Sequence, residues 1–126
     1  MAKIRCLVTV WLSFLIVGCG PDTIFLRQGL DTPAQHVENG HQLLQRGKLE
    51  DALREFNRAK ELDPLCVKAY VGLGIALARR GDLTAASATM DQARRIAGNS
   101  LEIETVRKGY DQLEMIKQRQ TAPLSD

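Results

Sequence analysis

Chemistry in this chain would have to come from two histidines, three cysteines and a scatter of carboxylates. His36 and His41 are five residues apart on one predicted helix, which turns them onto different faces. Neither has another histidine or a cysteine at the spacing of a metal site. Glu38 stands three residues before His41, a separation that reads as a surface pair and not as a proton-transfer dyad. Glu50 and Asp51 fall in the first turn of a second helix, where acids complement the helix dipole. Cys66 falls in the first turn of a third. It could be a thiol activated by that helix end or a small packing residue, and the second reading is preferred. No glycine-rich phosphate loop, serine elbow or paired-carboxylate motif is present. The expectation is a protein that is not an enzyme, with no cofactor and no metal site.

Cys19 is the exception, because its chemistry would be done to it. Lys3 and Arg5 form a short positive segment, and Cys6 to Val17 is a twelve-residue apolar run. As a helix that run spans roughly 18 Å against a hydrocarbon core of about 30 Å, short for a membrane crossing. Ile16-Val17-Gly18-Cys19 follows at once, and Gly20-Pro21 then breaks any helix. The four residues resemble the lipobox of bacterial lipoproteins. The resemblance implies diacylglyceryl transfer to the Cys19 thiol, cleavage before it, and a membrane partner reached through the lipid anchor. Residues 1–18 would be the signal peptide. Two or more acyl chains anchor stably where one does not. Gly20, with no aspartate in that place, points by analogy to the outer membrane, facing the periplasm. Residues 19–32 form a lipidated tether, in which Ile24, Phe25, Leu26 and Leu30 are unusually apolar for a free linker.

Loss of Lys3 and Arg5 lowers the 17 basic residues to 15, equal to the 15 acidic ones. The mature chain is then close to neutral, with no run of like charge, so no nucleic acid partner is expected. Cys66 is left without an intramolecular partner, so no disulfide framework is expected.

The elements that must position all of this repeat. Residues 33–66 laid over 67–100, without a gap, match at Val37/Val71, Gly40/Gly74, Leu43/Leu77, Arg46/Arg80, Gly47/Gly81, Leu49/Leu83, Ala52/Ala86 and Ala59/Ala93. A fixed period of 34 residues signals stacked helical units. In each unit Gly40 or Gly74 sits midway along a first helix, and Ala52 or Ala86 sits early on a second. Two antiparallel helices approach closely only where neither carries a bulky side chain. Gly47 and Gly81 end the first helix in the left-handed conformation, Leu49 and Leu83 open the second, and Phe56 and Met90 are the large fillers. Thr32 to Gln35 is a capping-box pattern, and Asp63-Pro64 reads as an N-cap with proline in the first turn. Helices are expected at about 33–46, 49–62, 65–80, 83–97 and 100–117. The fifth shows no small-residue signature and reads as a capping helix over 101–117, with residues 118–126 a disordered tail.

This pattern of small residues, fillers and Pro64 resembles the tetratricopeptide repeat. Tyr70 stands in place of the family's early tryptophan, and the chain departs from the pattern where His36 replaces that aromatic and where Gly98 replaces proline. The resemblance implies an all-α fold: a short helical solenoid of two helix-turn-helix repeats plus a C-terminal capping helix. It also implies a concave groove lined by the first helix of each unit. Carried onto this sequence, the lining is Ala34, Val37, His41, Leu44 and Gln45, then Lys68, Val71, Ile75, Ala78 and Arg79. Some members clamp a peptide carboxylate with lysine and asparagine where Val37, His41, Val71 and Ile75 stand here, so that activity is not implied. The expected groove is mostly apolar with a basic rim at Lys68 and Arg79, suited to a partner peptide or helix. The implied function is a protein-interaction adaptor of the bacterial envelope, serving pilus, secretion or outer-membrane assembly. The alternative is a self-associating, homo-oligomeric module whose groove closes on a second copy.

Overall fold

The computed structural model describes residues 31–122. The expected signal peptide, Cys19 and the tether up to residue 30 lie outside the described residues, as does the tail from residue 123. Five helices follow in order: α1 Pro33–Gln45, α2 Leu49–Leu62, α3 Val67–Arg80, α4 Leu83–Ile96 and α5 Ser100–Thr121. No strand occurs among the described residues. The architecture is the expected short solenoid of two helical hairpins and a terminal helix.

Both hairpins turn by the same device. Gly47 and Gly81 have φ of 72° and 100°, the left-handed region where a side chain is strained. The amides just beyond them, of Lys48 and Asp82, bond the carbonyls of Leu43 and Leu77 at 2.9 and 3.0 Å. These are helix C-caps of the Schellman type, 34 residues apart. Thr32 caps α1 by accepting from the Gln35 amide at 3.2 Å. The Gln35 side chain turns to Asn39 instead, so only half of the capping box forms. Asp63 does not cap α3. Its carboxylate accepts from the Leu65 amide at 2.9 Å, closing a tight turn through Pro64, and the helix begins at Val67 behind Cys66.

α1 packs on α2, α3 on α4, and α2 on α3, while α5 lies mainly on α3 and less on α4. The core is threaded by large side chains set between glycines. The Phe56 ring, wholly buried, lies between Gly40 of α1 and Gly72 of α3; a Cβ at Gly40 would come within 2.6 Å of it, and one at Gly72 nearer still. Met90, also wholly buried, lies between Gly74 of α3 and Gly109 of α5, where added Cβ atoms would stand 3.2 and 3.1 Å from its methyl. Gly74 also lies close to its hairpin partner, with 3.3 Å from a Cβ there to the Ala86 carbonyl. So α5 does carry a small-residue contact, at Gly109.

A second periodic device joins the units. Arg79 Nη1 of α3 donates to the Leu44 carbonyl at the end of α1, at 3.1 Å. Gln120 Nε2 of α5 donates to the Ala78 carbonyl at the end of α3, at 2.8 Å. Leu44 and Ala78 are equivalent positions, so each first helix has its C-terminal end tied down by the next. This explains why α5 runs to Thr121 when its apolar pattern ends near residue 117. Gln120→Ala is expected to cost about 0.5–1.5 kcal/mol, measured as a shift in urea midpoint, while Gln118→Ala, on the same turn, changes it little.

A trough across three helices

The first helices α1, α3 and α5 lie side by side with α3 in the middle, and α1 and α5 do not touch. Between them runs a trough holding a cavity of about 390 Å³. Val37 and His41 form its α1 wall; Lys68, Val71 and Ile75 rise from α3; Thr105, Lys108, Gly109 and Gln112 form the α5 wall.

Five of the residues expected in a groove therefore meet in it: Val37, His41, Lys68, Val71 and Ile75. Leu44 and Ala78 do not line it and are packed in the core. Ala34, Gln45 and Arg79 are exposed but lie outside the cavity. Arg79 is turned to the Leu44 carbonyl, so the second basic residue of the trough is Lys108. The α5 wall is the part the sequence reading missed. One more step of 34 residues carries Val71, Ile75 and Ala78 onto Thr105, Gly109 and Gln112, and that signal was available.

The floor is nearly closed, with Val37 and Val71 at 7% and Ile75 at 5% exposure. The lining is more apolar than polar, with Lys68, Lys108 and Gln112 among its polar groups, and no carboxylate lines it. Glu104 comes within 3.6 Å of Lys108 Nζ but is held more closely by Arg107, at 2.7 Å. That guanidinium keeps the Glu104 carboxyl at a pKa of about 2.

The two histidines occupy opposite environments. His41 stands edge-on to the Phe56 ring, centroids 5.2 Å apart. Burial lowers its pKa; the Lys68 charge acts in the same direction and Glu38 against it. His36 is covered by carboxylates: Nδ1 lies 2.8 Å from Glu55 and Nε2 2.8 Å from Asp31. A neutral imidazole has one N–H, so donation at both nitrogens needs the imidazolium. Burial opposes that charge, but the hydrogen bonds to Asp31 and Glu55 outweigh it and raise the pKa. Arg58, 2.8 Å from Asp31, completes the cluster, and with His36 it lowers the Asp31 pKa.

The signs follow. His36, raised in the folded state, stabilises fully below its unfolded pKa of ~6.5 and loses this as pH rises through the folded value. His41, lowered in the folded state, contributes above ~6.5 and loses this as pH falls. His36→Gln is therefore expected to lose more stability at pH 6 than at pH 9. His41→Gln is expected to flatten the acid side of the curve. Urea unfolding across that range reads both, and parallel curves for the two variants would overturn the assignment.

Cys66 is half-buried, packs against the core and is the N-cap residue of α3, without a capping hydrogen bond from its side chain. Among the described residues no group of three histidine, cysteine or acidic side chains is placed to hold a metal ion.

A family model described as tetratricopeptide repeat matches residues 37–100, half of the chain. This chain belongs to the tetratricopeptide-repeat family. Tetratricopeptide repeats are protein-interaction modules and typically non-catalytic. In this tetratricopeptide-repeat protein the third first-helix, α5, has no second helix after it among the described residues. No curated protein and no solved structure matches the chain.

Proposed function

We propose that this protein is a lipid-anchored adaptor of the bacterial cell envelope that holds a segment of a partner protein in the trough. The observation that carries the binding role is the open channel between α1 and α5 over α3, in a repeat family that binds protein. The anchor rests on Ile16-Val17-Gly18-Cys19, and an outer-membrane location facing the periplasm on Gly20. Pilus, secretion or outer-membrane assembly are the settings such a tethered adaptor suits.

A photo-crosslinker placed at Gln112, on the trough wall, tests the binding role in cells. A discrete adduct from Gln112 but not from Arg79, outside the cavity, is the expected result. No adduct, or the same adducts from both, would overturn it. Mass spectrometry of the mature N-terminus tests the anchor separately: a diacylglyceryl-modified Cys19 supports it, and an intact Met1 or an unmodified Cys19 removes it.

One observation favours self-association as a second reading. Beside α4, an apolar hollow of about 360 Å³ is lined by Ala97, Ile103, Val106 and Tyr110 between Arg94 and Arg107. Ile103 is 59% exposed and nearby Leu101 71%. The second helix of a further unit would lie over this side of α5. Sedimentation over a wide concentration range decides it, since a monomer throughout excludes a copy seated there.

A further inference from the structure

The end of the domain at which the chain enters carries most of its exposed large apolar side chains. Residue 31, the α2–α3 turn and the start of α5 lie together there, because α1, α3 and α5 run one way and α2 and α4 return. Among the described residues four large apolar side chains are more than half exposed. Three of them are at this end: Leu65 at 68%, Leu101 at 71% and Ile103 at 59%. Leu65 stands in the turn before α3, and Leu101 and Ile103 in the first turn of α5. The Cβ bonds of a helix tilt toward its N-terminus, so the last two lean out over the end. The backbone there is satisfied from within. Asn99 Oδ1 accepts from the Glu102 amide at 3.0 Å, Glu102 from the Gly98 amide at 2.8 Å, and Asp63 from the Leu65 amide at 2.9 Å. Such an end can leave bulk water without stranding these amides. The turns at the opposite end, 46–48 and 81–82, hold only arginine, lysine, aspartate and glycine.

The entering chain decides which surface meets this end. Asp31 is fastened to both helices of the first hairpin, 2.8 Å from His36 Nε2 on α1 and 2.8 Å from Arg58 Nη2 on α2. Cys19 stands twelve residues earlier, at most about 42 Å of extended chain. A lipid on Cys19, the anchor proposed above on which this inference rests, keeps this end of the domain nearest the bilayer. We infer that the domain docks end-on to the lipid surface, with Leu65, Leu101 and Ile103 seated at the boundary between headgroups and acyl chains. The binding is by apolar contact. Lys60 and Arg94 stand beside Asp63 and Glu102 at this end, so neutral phosphatidylcholine suffices. The first helices then stand upright on the membrane, and the trough is entered from the side.

The test is tryptophan quenching in the full chain, reconstituted in phosphatidylcholine vesicles with brominated acyl chains. The one native tryptophan, Trp11, lies in the segment that anchoring removes, and the parent chain supplies the baseline. Leu65→Trp and Leu101→Trp are each expected to lose about half of their emission or more, relative to unbrominated vesicles. Lys48→Trp, in the turn at the opposite end, should lose almost none. Ile103→Asn should lower the quenching of Leu65→Trp about twofold or more while the urea midpoint stays in place. Equal quenching at Leu101 and Lys48, or none at either, with Cys19 diacylglyceryl-modified, overturns the docking and leaves the anchor standing. Quenching at Leu65 and Leu101 but not Lys48, with Cys19 unmodified, supports the docking and removes the anchor. No quenching and an unmodified Cys19 overturn both. Emission from Leu101→Trp that shifts to the blue with protein concentration, without quenching, assigns the face to a second copy and also overturns the inference.

Discussion

Phe56→Ala is expected to remove about 3–5 kcal/mol of stability, the range for emptying a fully buried aromatic site. The ring is the contact between the two repeats as well as within the first. It fills the space between Gly40 on α1 and Gly72 on α3, and it supports His41 edge-on. No neighbour can move in to take its place, because both flanking positions are glycine. A domain of this size loses roughly 4–8 °C of melting temperature per kcal/mol, so the midpoint falls by more than about 12 °C. With a stability of order 5–15 kcal/mol in small domains, a large fraction of the margin goes. Thermal melts followed by circular dichroism measure it; a loss below about 1 kcal/mol would mean that Phe56 does not join the repeats as described.

Gly72→Ala tests the same joint from the other side, and two effects compete. Alanine is favoured over glycine inside a helix by about 0.5–1 kcal/mol. Against this, its methyl would overlap the Phe56 ring, which cannot retreat without pressing on Gly40. Overpacking of this kind costs about 1–3 kcal/mol. A net loss of about 1–2 kcal/mol is expected, since the overlap is deep and the obstacle is trapped. Gly74→Ala is the milder comparison. Its methyl would meet Met90 at 3.2 Å and the Ala86 carbonyl at 3.3 Å, an overlap far shallower than at Gly72, so a smaller loss is expected. Phe56→Leu should recover part of the Gly72→Ala loss, and the two substitutions will not add. Additive losses, or a Gly72→Ala protein as stable as the parent, would show that the ring has room to move.

How much of this could be read in the residues depends on where each constraint acts. Gly47 and Gly81 were readable because the constraint is local: the chain must reverse, and only one backbone conformation does it. Phe56, Met90, Gly40 and Gly74 were readable because they recur at the period. Gly72 and Gly109 were not. The period pairs Gly72 with Glu38 and Gly109 with Ile75, because these glycines answer to the shape of the preceding unit and not to their own. The last turn of α5 was missed for a similar reason, since residues 118–121 are polar and are held by a bond to Ala78 that is far away in sequence. The trough was half visible. Reading α5 as a lid over the second hairpin hid its other role, that of a wall, and with it Thr105, Lys108 and Gln112.

The ties from Arg79 to Leu44 and from Gln120 to Ala78 have a direction. Each helix end is closed by a residue that is synthesised later. A chain that emerges N-terminus first therefore exposes an unfinished α1 until α3 follows, and an unfinished α3 until Gln120 is out, two residues before the described chain ends. The closing of α3 waits on the last turn of α5. Products cut short anywhere before it keep an open helix end and are the forms that proteases will find first.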